Sequence, residues 1–159
     1  MGLSQGKEAY IVDVRTAFLQ APLPPGRMIA VKMPNILPAS VKDSKIKPGG
    51  VYALNKAMYG LQDSPKAFCD WLKIQLERLK WVSVGSGCYV RRTGSSLDFI
   101  VAYVDDLWIW SNEALKVVEE LSKFVYMDQP KKVSGQWTRY IGVDVRKTIE
   151  GIETSVKSY

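Results

Sequence analysis

The chain has 159 residues, 47% of them hydrophobic, enough to fill one core but not two independent ones. Its 22 Lys and Arg against 16 Asp and Glu give a formal charge of +6, a mild positive field that attracts polyanions but that a solvated basic surface would also produce. Histidine is absent, which excludes Ser-His-Asp and Cys-His catalysis and any zinc site needing imidazole, and leaves carboxylates, Lys, Tyr or Cys to carry chemistry.

Glu8 to Val14 reads as a strand, because Tyr10, Ile11, Val12 and Val14 are β-branched or aromatic. The three prolines of Pro22 to Gly26 require a turn or extended loop, and a short strand is expected from Met28 to Met33. Asn35 to Gly50, with two prolines, two glycines and three lysines, marks a surface insertion over about 34–50. Ser64-Pro65 suits a helix start, with Ser64 as cap, and Phe68, Trp71, Leu72, Gln75, Leu76 and Leu79 recur at helical spacing to about Lys80. Cys88 to Arg91 and Leu97 to Val104 are expected as strands joined by a 92–96 loop, and Leu107 to Trp110 as another. Ser111-Asn112 then caps a helix carrying Leu115, Val117, Val118, Leu121 and Phe124. Tyr140 to Val145 and Ile152 to Val156 close the chain as a hairpin.

This order predicts an α+β fold, an antiparallel sheet with its helices on one face, of the ferredoxin-like kind, in a single domain over 1–159. Cys69 and Cys88 form no CxxC and are expected as buried free thiols. No apolar run is long enough to span a bilayer and Met1 to Lys7 has no signal core, so an intracellular location is expected.

Asp105-Asp106 places two carboxylates in the middle of an apolar run from Phe99 to Trp110. An ordinary two-residue hairpin turn would explain them. However, flanking strands this apolar are expected to lie against a core, and carboxylates fixed together repel unless a cation sits between them. Mg²⁺ takes such oxygen ligands. Adjacent strand residues face opposite ways, so a turn is what lets both serve one cluster. Asp13, also ending an apolar strand, is the candidate third acid, although it too could be a simple turn residue.

Asp13-Val14-Arg15-Thr16-Ala17-Phe18-Leu19-Gln20-Ala21-Pro22-Leu23 resembles the first catalytic motif of copia-type retrotransposon reverse transcriptases, and Tyr103-Val104-Asp105-Asp106 resembles their polymerase box. Ala57 to Phe68, which contains Tyr59-Gly60-Leu61 and Pro65-Lys66-Ala67-Phe68, is similar to a third family segment. Cys88-Tyr89-Val90 and Tyr140 to Val145 match two more, the latter where the family's primer-gripping hairpin lies. Departures are Gln20 for the commoner Asn, Asp63-Ser64 for Gln-Ala, and Cys69 after Phe68.

The resemblance implies a polymerase palm performing two-metal nucleotidyl transfer from a dNTP to a primer 3′-hydroxyl on an RNA or DNA template. It assigns Asp13, Asp105 and Asp106 to two Mg²⁺ ions, with Mn²⁺ as a substitute. It places Phe18 under the incoming sugar as a steric gate, where a core phenylalanine is the plainer explanation, and Tyr59, Gly60 and Tyr103 near the substrate. Fingers, thumb, RNase H and integrase are not expected within these residues, so other protein segments or chains would cover the palm. The alternative is an inactive retroelement remnant serving as a structural or interaction subunit. A plain nucleic-acid-binding module fits less well, because the chain lacks the basic, glycine and aromatic pattern of RNA-recognition strands.

Overall fold

The computed structural model describes residues 6–41 and 45–156. The start of the chain at 1–5 and the centre of the expected insertion at 42–44 lie outside the described residues. The fold is mixed α/β with antiparallel sheets and few helices.

Six strands form the main sheet: β1 (Glu8–Asp13), β4 (Val82–Gly85), β5 (Cys88–Thr93), β6 (Ser96–Tyr103), β7 (Asp106–Ser111) and β8 (Lys131–Val133), in the order β4-β5-β6-β7-β1-β8. β2 (Ala30–Lys32) and β3 (Val51–Ala53) make a separate hairpin, and β9 (Thr138–Tyr140), β10 (Val143–Lys147) and β11 (Ile152–Ser155) a three-stranded sheet. The helices are α1 (Ala17–Gln20), α2 (Ser64–Arg78) and α3 (Ala114–Ser122).

Alternation along each strand divides the main sheet into two apolar faces. Tyr10, Val12, Leu107, Ile109, Ile100 and Tyr89 share one core with Ala67, Phe68, Leu72 and Leu76 of α2 and Val117, Val118 and Leu121 of α3. Ala9, Ile11 and Val133 point the other way and pack with Tyr140 and Val145 of the small sheet, alongside Trp108. A strand buried on both faces reads as a continuous apolar run, which is why Tyr10 to Val12 shows no alternation in the sequence.

Several expectations are corrected. Ser64 does not cap α2: Asp63 precedes the helix, and the Ser64 hydroxyl donates to the Met58 carbonyl at 2.6 Å while accepting the Met58 N–H at 3.1 Å. Tyr140 to Val145 is not one strand, because Ile141 (φ +47°) and Gly142 (φ +78°) reverse the chain and split it into β9 and β10. The 92–96 loop shrinks to Gly94-Ser95, since Thr93 pairs with Ser96. α3 starts at Ala114, and Ser111 instead accepts the Glu113 N–H at 3.0 Å. The cysteines are free but not buried: Cys69 is exposed and Cys88 half-buried. No helix among the described residues is long and apolar enough to cross a membrane.

Candidate carboxylate centre

β6 and β7 are joined by Val104-Asp105, with Tyr103 paired to Asp106 across the turn. Val104 takes φ +52°, the sign that tight hairpin turns require at their first central position but one that β-branched residues rarely adopt. The surroundings hold the turn: the Val14 N–H donates to the Asp105 carbonyl at 2.7 Å, and Val12 pairs with Leu107.

β1 runs antiparallel beside β7, so its last residue meets the first residue of β7, and Asp13 lies directly opposite Asp106. Directly paired residues share a face. Tyr103, Asp106 and Asp13 therefore form one cross-strand row, and the next row inward on that face is Val101, Trp108 and Ile11. Asp13 and Asp106, distant in sequence, thus meet at one end of the sheet on the face opposite α2 and α3, with Asp105 in the adjoining turn.

The acids feel one another. Asp13 has its pKa raised, first by partial desolvation and then by the charges of Asp105 and Asp128, with Lys131 and Arg15 pulling it back. Asp106 is raised by desolvation and then by Asp105 and Asp13, again against Lys131. Tyr140 packs edge-on to Trp108, with ring centroids 5.0 Å apart, and its pKa is pushed up to about 12 by burial and then by Asp106. Its hydroxyl is buried and has no hydrogen-bond partner among the described residues.

The donor chemistry suits a hard divalent cation: carboxylate oxygens that are partly desolvated and repel one another, with Lys131 and Arg15 offsetting only part of the shift. Among the described residues, however, no three acidic, histidine or cysteine side chains stand close enough to form a ready metal cage. The backbone register brings the acids together, and the side chains are not drawn in around an ion.

The other predicted residues form a second group. Phe18, on α1, is half-buried and packs on Tyr59 (centroids 4.7 Å apart, 47° between planes) and Phe68 (6.3 Å, 67°). Its contacts are those of a residue at the core margin. Tyr59 is 52% exposed and Gly60 takes φ +90° with open space around it. Tyr103 is exposed beside the acids.

Sequence reasoning missed Arg15, Gln20, Asp128, Lys131 and Tyr140 as neighbours of this centre. Asp128 and Lys131 reach it only through the pairing of β1 with β8 and the Val14–Met127 bridge, which no local pattern announces. The cavity of about 690 Å³ lined by Lys80, Arg91, Arg92, Lys116 and Glu120 includes none of the predicted site residues. It is an open groove, and the register of the acids is the better guide to chemistry.

Over residues 2–159 the sequence matches the family described as reverse transcriptase (RNA-dependent DNA polymerase). It is 27% identical over 150 residues to a retrovirus-related Pol polyprotein from transposon RE2 of Arabidopsis thaliana, covering 93% of this chain and 10% of that protein. A similar polyprotein from transposon RE1 of the same plant is 26% identical over 153 residues, with the same coverage. A putative transposon Ty5-1 protein of Saccharomyces cerevisiae is 28% identical over 154 residues, covering 93% of this chain and 46% of the yeast protein. The chain thus spans about a tenth to under half of these relatives. With its motifs in matching order along the whole match, the chain belongs to the reverse transcriptase (RNA-dependent DNA polymerase) family, in its copia-type retrotransposon branch.

Proposed function

We propose that this chain is the palm of an RNA-directed DNA polymerase, a ferredoxin-like domain over 1–159 that carries the carboxylates for two-metal nucleotidyl transfer. The observation that carries this reading is the register of Asp13 opposite Asp106, with Asp105 in the adjoining turn. Asp13 and Asp105 would hold divalent cations, Mg²⁺ or Mn²⁺, and Asp106 would support the set. Bound there, the cations would supply a lowered pKa for the primer 3′-hydroxyl and charge neutralisation at the leaving pyrophosphate.

The protein's own part is positioning. The β6–β7 hairpin and β1 would set the backbone positions of the acids, and the side chains would close around the cations on binding. Tyr103, exposed in the same row as Asp106, would meet the primer end, and Phe18 with Tyr59 and Gly60 would meet the incoming sugar. Template-primer and dNTP are the proposed partners.

Primer extension on an RNA template with purified chain, dNTPs and Mg²⁺ tests this reading. Little or no processive extension by the chain alone, extension once fingers and thumb segments of the family are added, and its loss in Asp105→Asn are the expected results; no extension in Mg²⁺ or Mn²⁺ even with those segments would overturn it. One observation favours a second reading, a structural subunit. Val82, Val84 and Val101 of β4 and β6 are exposed, an apolar margin suited to a protein partner. Stable association with a partner, with no divalent cation bound at the acids, would favour that reading.

A further inference from the structure

Arg15, two residues after Asp13, is a cation at the rim of the carboxylates. Its Nε donates to Asp128 Oδ1 and its Nη1 to the Tyr126 hydroxyl at 3.0 Å, and the guanidinium lies over the Tyr126 ring, 5.4 Å from the centroid. The two side chains of the ion pair are 50% and 41% exposed. Such a pair is weak and readily screened.

The backbone beneath this pair is fastened at several points. The Arg15 N–H donates to the Tyr126 carbonyl at 3.0 Å, and the Asp128 N–H to the Asp13 carbonyl at 2.8 Å. Gln20 clamps the two segments together. Its Nε2 donates to the carbonyls of Arg15 (2.7 Å) and Tyr126 (2.8 Å), and its Oε1 accepts the Tyr126 N–H at 2.8 Å. A firm base therefore presents a loosely held guanidinium beside Asp13, whose carboxyl senses both partners of the pair.

A guanidinium engages phosphate with two parallel N–H bonds, and a phosphate carrying more charge than one carboxylate competes well for it. Asp128 gives Arg15 an anion of the same geometry when no phosphate is present. We propose that Arg15 is a phosphate-contact residue, that Asp128 holds its guanidinium in reserve, and that a phosphate group arriving at the carboxylate centre displaces Asp128. This deepens the polymerase reading and rests on it for the source of the phosphate, either the triphosphate of an incoming nucleotide or the backbone of a nucleic-acid duplex.

The test is a double-mutant cycle on Arg15→Gln and Asp128→Asn, with binding of inorganic tripolyphosphate measured by calorimetry without metal and binding of a primer–template duplex measured in parallel. Asp128→Asn is expected to tighten tripolyphosphate about 3- to 10-fold by freeing Arg15, and Arg15→Gln to weaken it about 10-fold. In the Arg15→Gln background the gain from Asp128→Asn should fall below about 2-fold. Arg15→Lys, a milder change to the fold, should bind at an intermediate level, because a point charge lacks the fork. Coupling seen with tripolyphosphate alone assigns the nucleotide, and coupling seen with the duplex alone assigns the backbone. No coupling with either probe, or equal gains in both backgrounds, overturns the proposal. If the cycle holds and primer extension fails, the phosphate site stands without the polymerase; if extension succeeds and the cycle fails, only the role of Arg15 is lost.

Discussion

Phe18 and Tyr140 show how one side chain can serve packing and chemistry together. Phe18 is half-buried against Tyr59 and Phe68, so trimming it removes apolar contacts as well as any gate. Phe18→Ala should lower stability by about 2 kcal/mol, below the range for a fully buried ring, in urea unfolding. If the chain polymerises, the same variant should accept ribonucleotides more readily, because a steric gate works by volume. Unchanged rejection of ribonucleotides by an active variant would make Phe18 core alone. Tyr140 keeps a buried hydroxyl with no partner among the described residues, an arrangement that costs stability. Tyr140→Phe should therefore be neutral or more stable by up to about 1 kcal/mol at neutral pH. Its pKa stands at about 12 in the fold against 10.0 for the free phenol. The folded state thus holds this proton more tightly, and stability falls as pH rises from about 10 to 12. Tyr140→Phe should lose less stability over that window, and identical alkaline profiles would count against the assignment.

At the scale of elements, hairpins and helices with strong local signals were legible in the sequence. The spacing from Phe68 to Leu79 anticipated α2, and the apolar run either side of Asp105-Asp106 anticipated β6 and β7 around a turn. The turn itself lies one residue earlier than an Asp105-Asp106 turn would, at Val104-Asp105, because Asp106 pairs with Tyr103 as the first residue of β7. β4 and β8 escaped because they are short and mostly exposed, and belong to the sheet only through partners elsewhere in the chain. The β4–β5 turn likewise rests on a contact that no local pattern reveals. A Cβ added at Gly87 would lie 2.2 Å from the Ala102 carbonyl oxygen, at a residue with φ +73°. The Ala102 N–H also donates to the Gly87 carbonyl at 2.7 Å. Gly87→Ala should cost at least about 2 kcal/mol, since both the backbone sign and the space are wrong for alanine. A thermal midpoint within a degree of the parent would show that this turn adapts.

At the scale of the whole molecule, the sheet partly desolvates Asp13 and Asp106 and sets like charges beside them at one end, and that arrangement has a pH signature. Asp13 and Asp106 have pKa values raised above the ordinary 3.8, so between that value and the raised ones the folded state binds more protons than the unfolded. Stability contributed by these groups therefore falls as pH rises through the window and stays low at neutrality. Asp106→Asn removes one opposed charge and should make the metal-free protein more stable at pH 7 by about 0.5 kcal/mol, an advantage that fades as pH falls toward 4. With Mg²⁺ added the order should reverse, because a cation bound to the folded state stabilises the parent more than the variant.

We propose that Asp13, Asp105 and Asp106, joined by the pairing of β1 with β7 and the turn after β6, form a divalent-cation centre. Its most direct test is a Mn²⁺ titration of the purified chain followed by electron paramagnetic resonance, in the parent and in Asp13→Asn and Asp105→Asn. Saturable binding by the parent that weakens about 10-fold or more in each variant is the predicted result. Absent binding, or binding that both variants keep unchanged, would contradict the account.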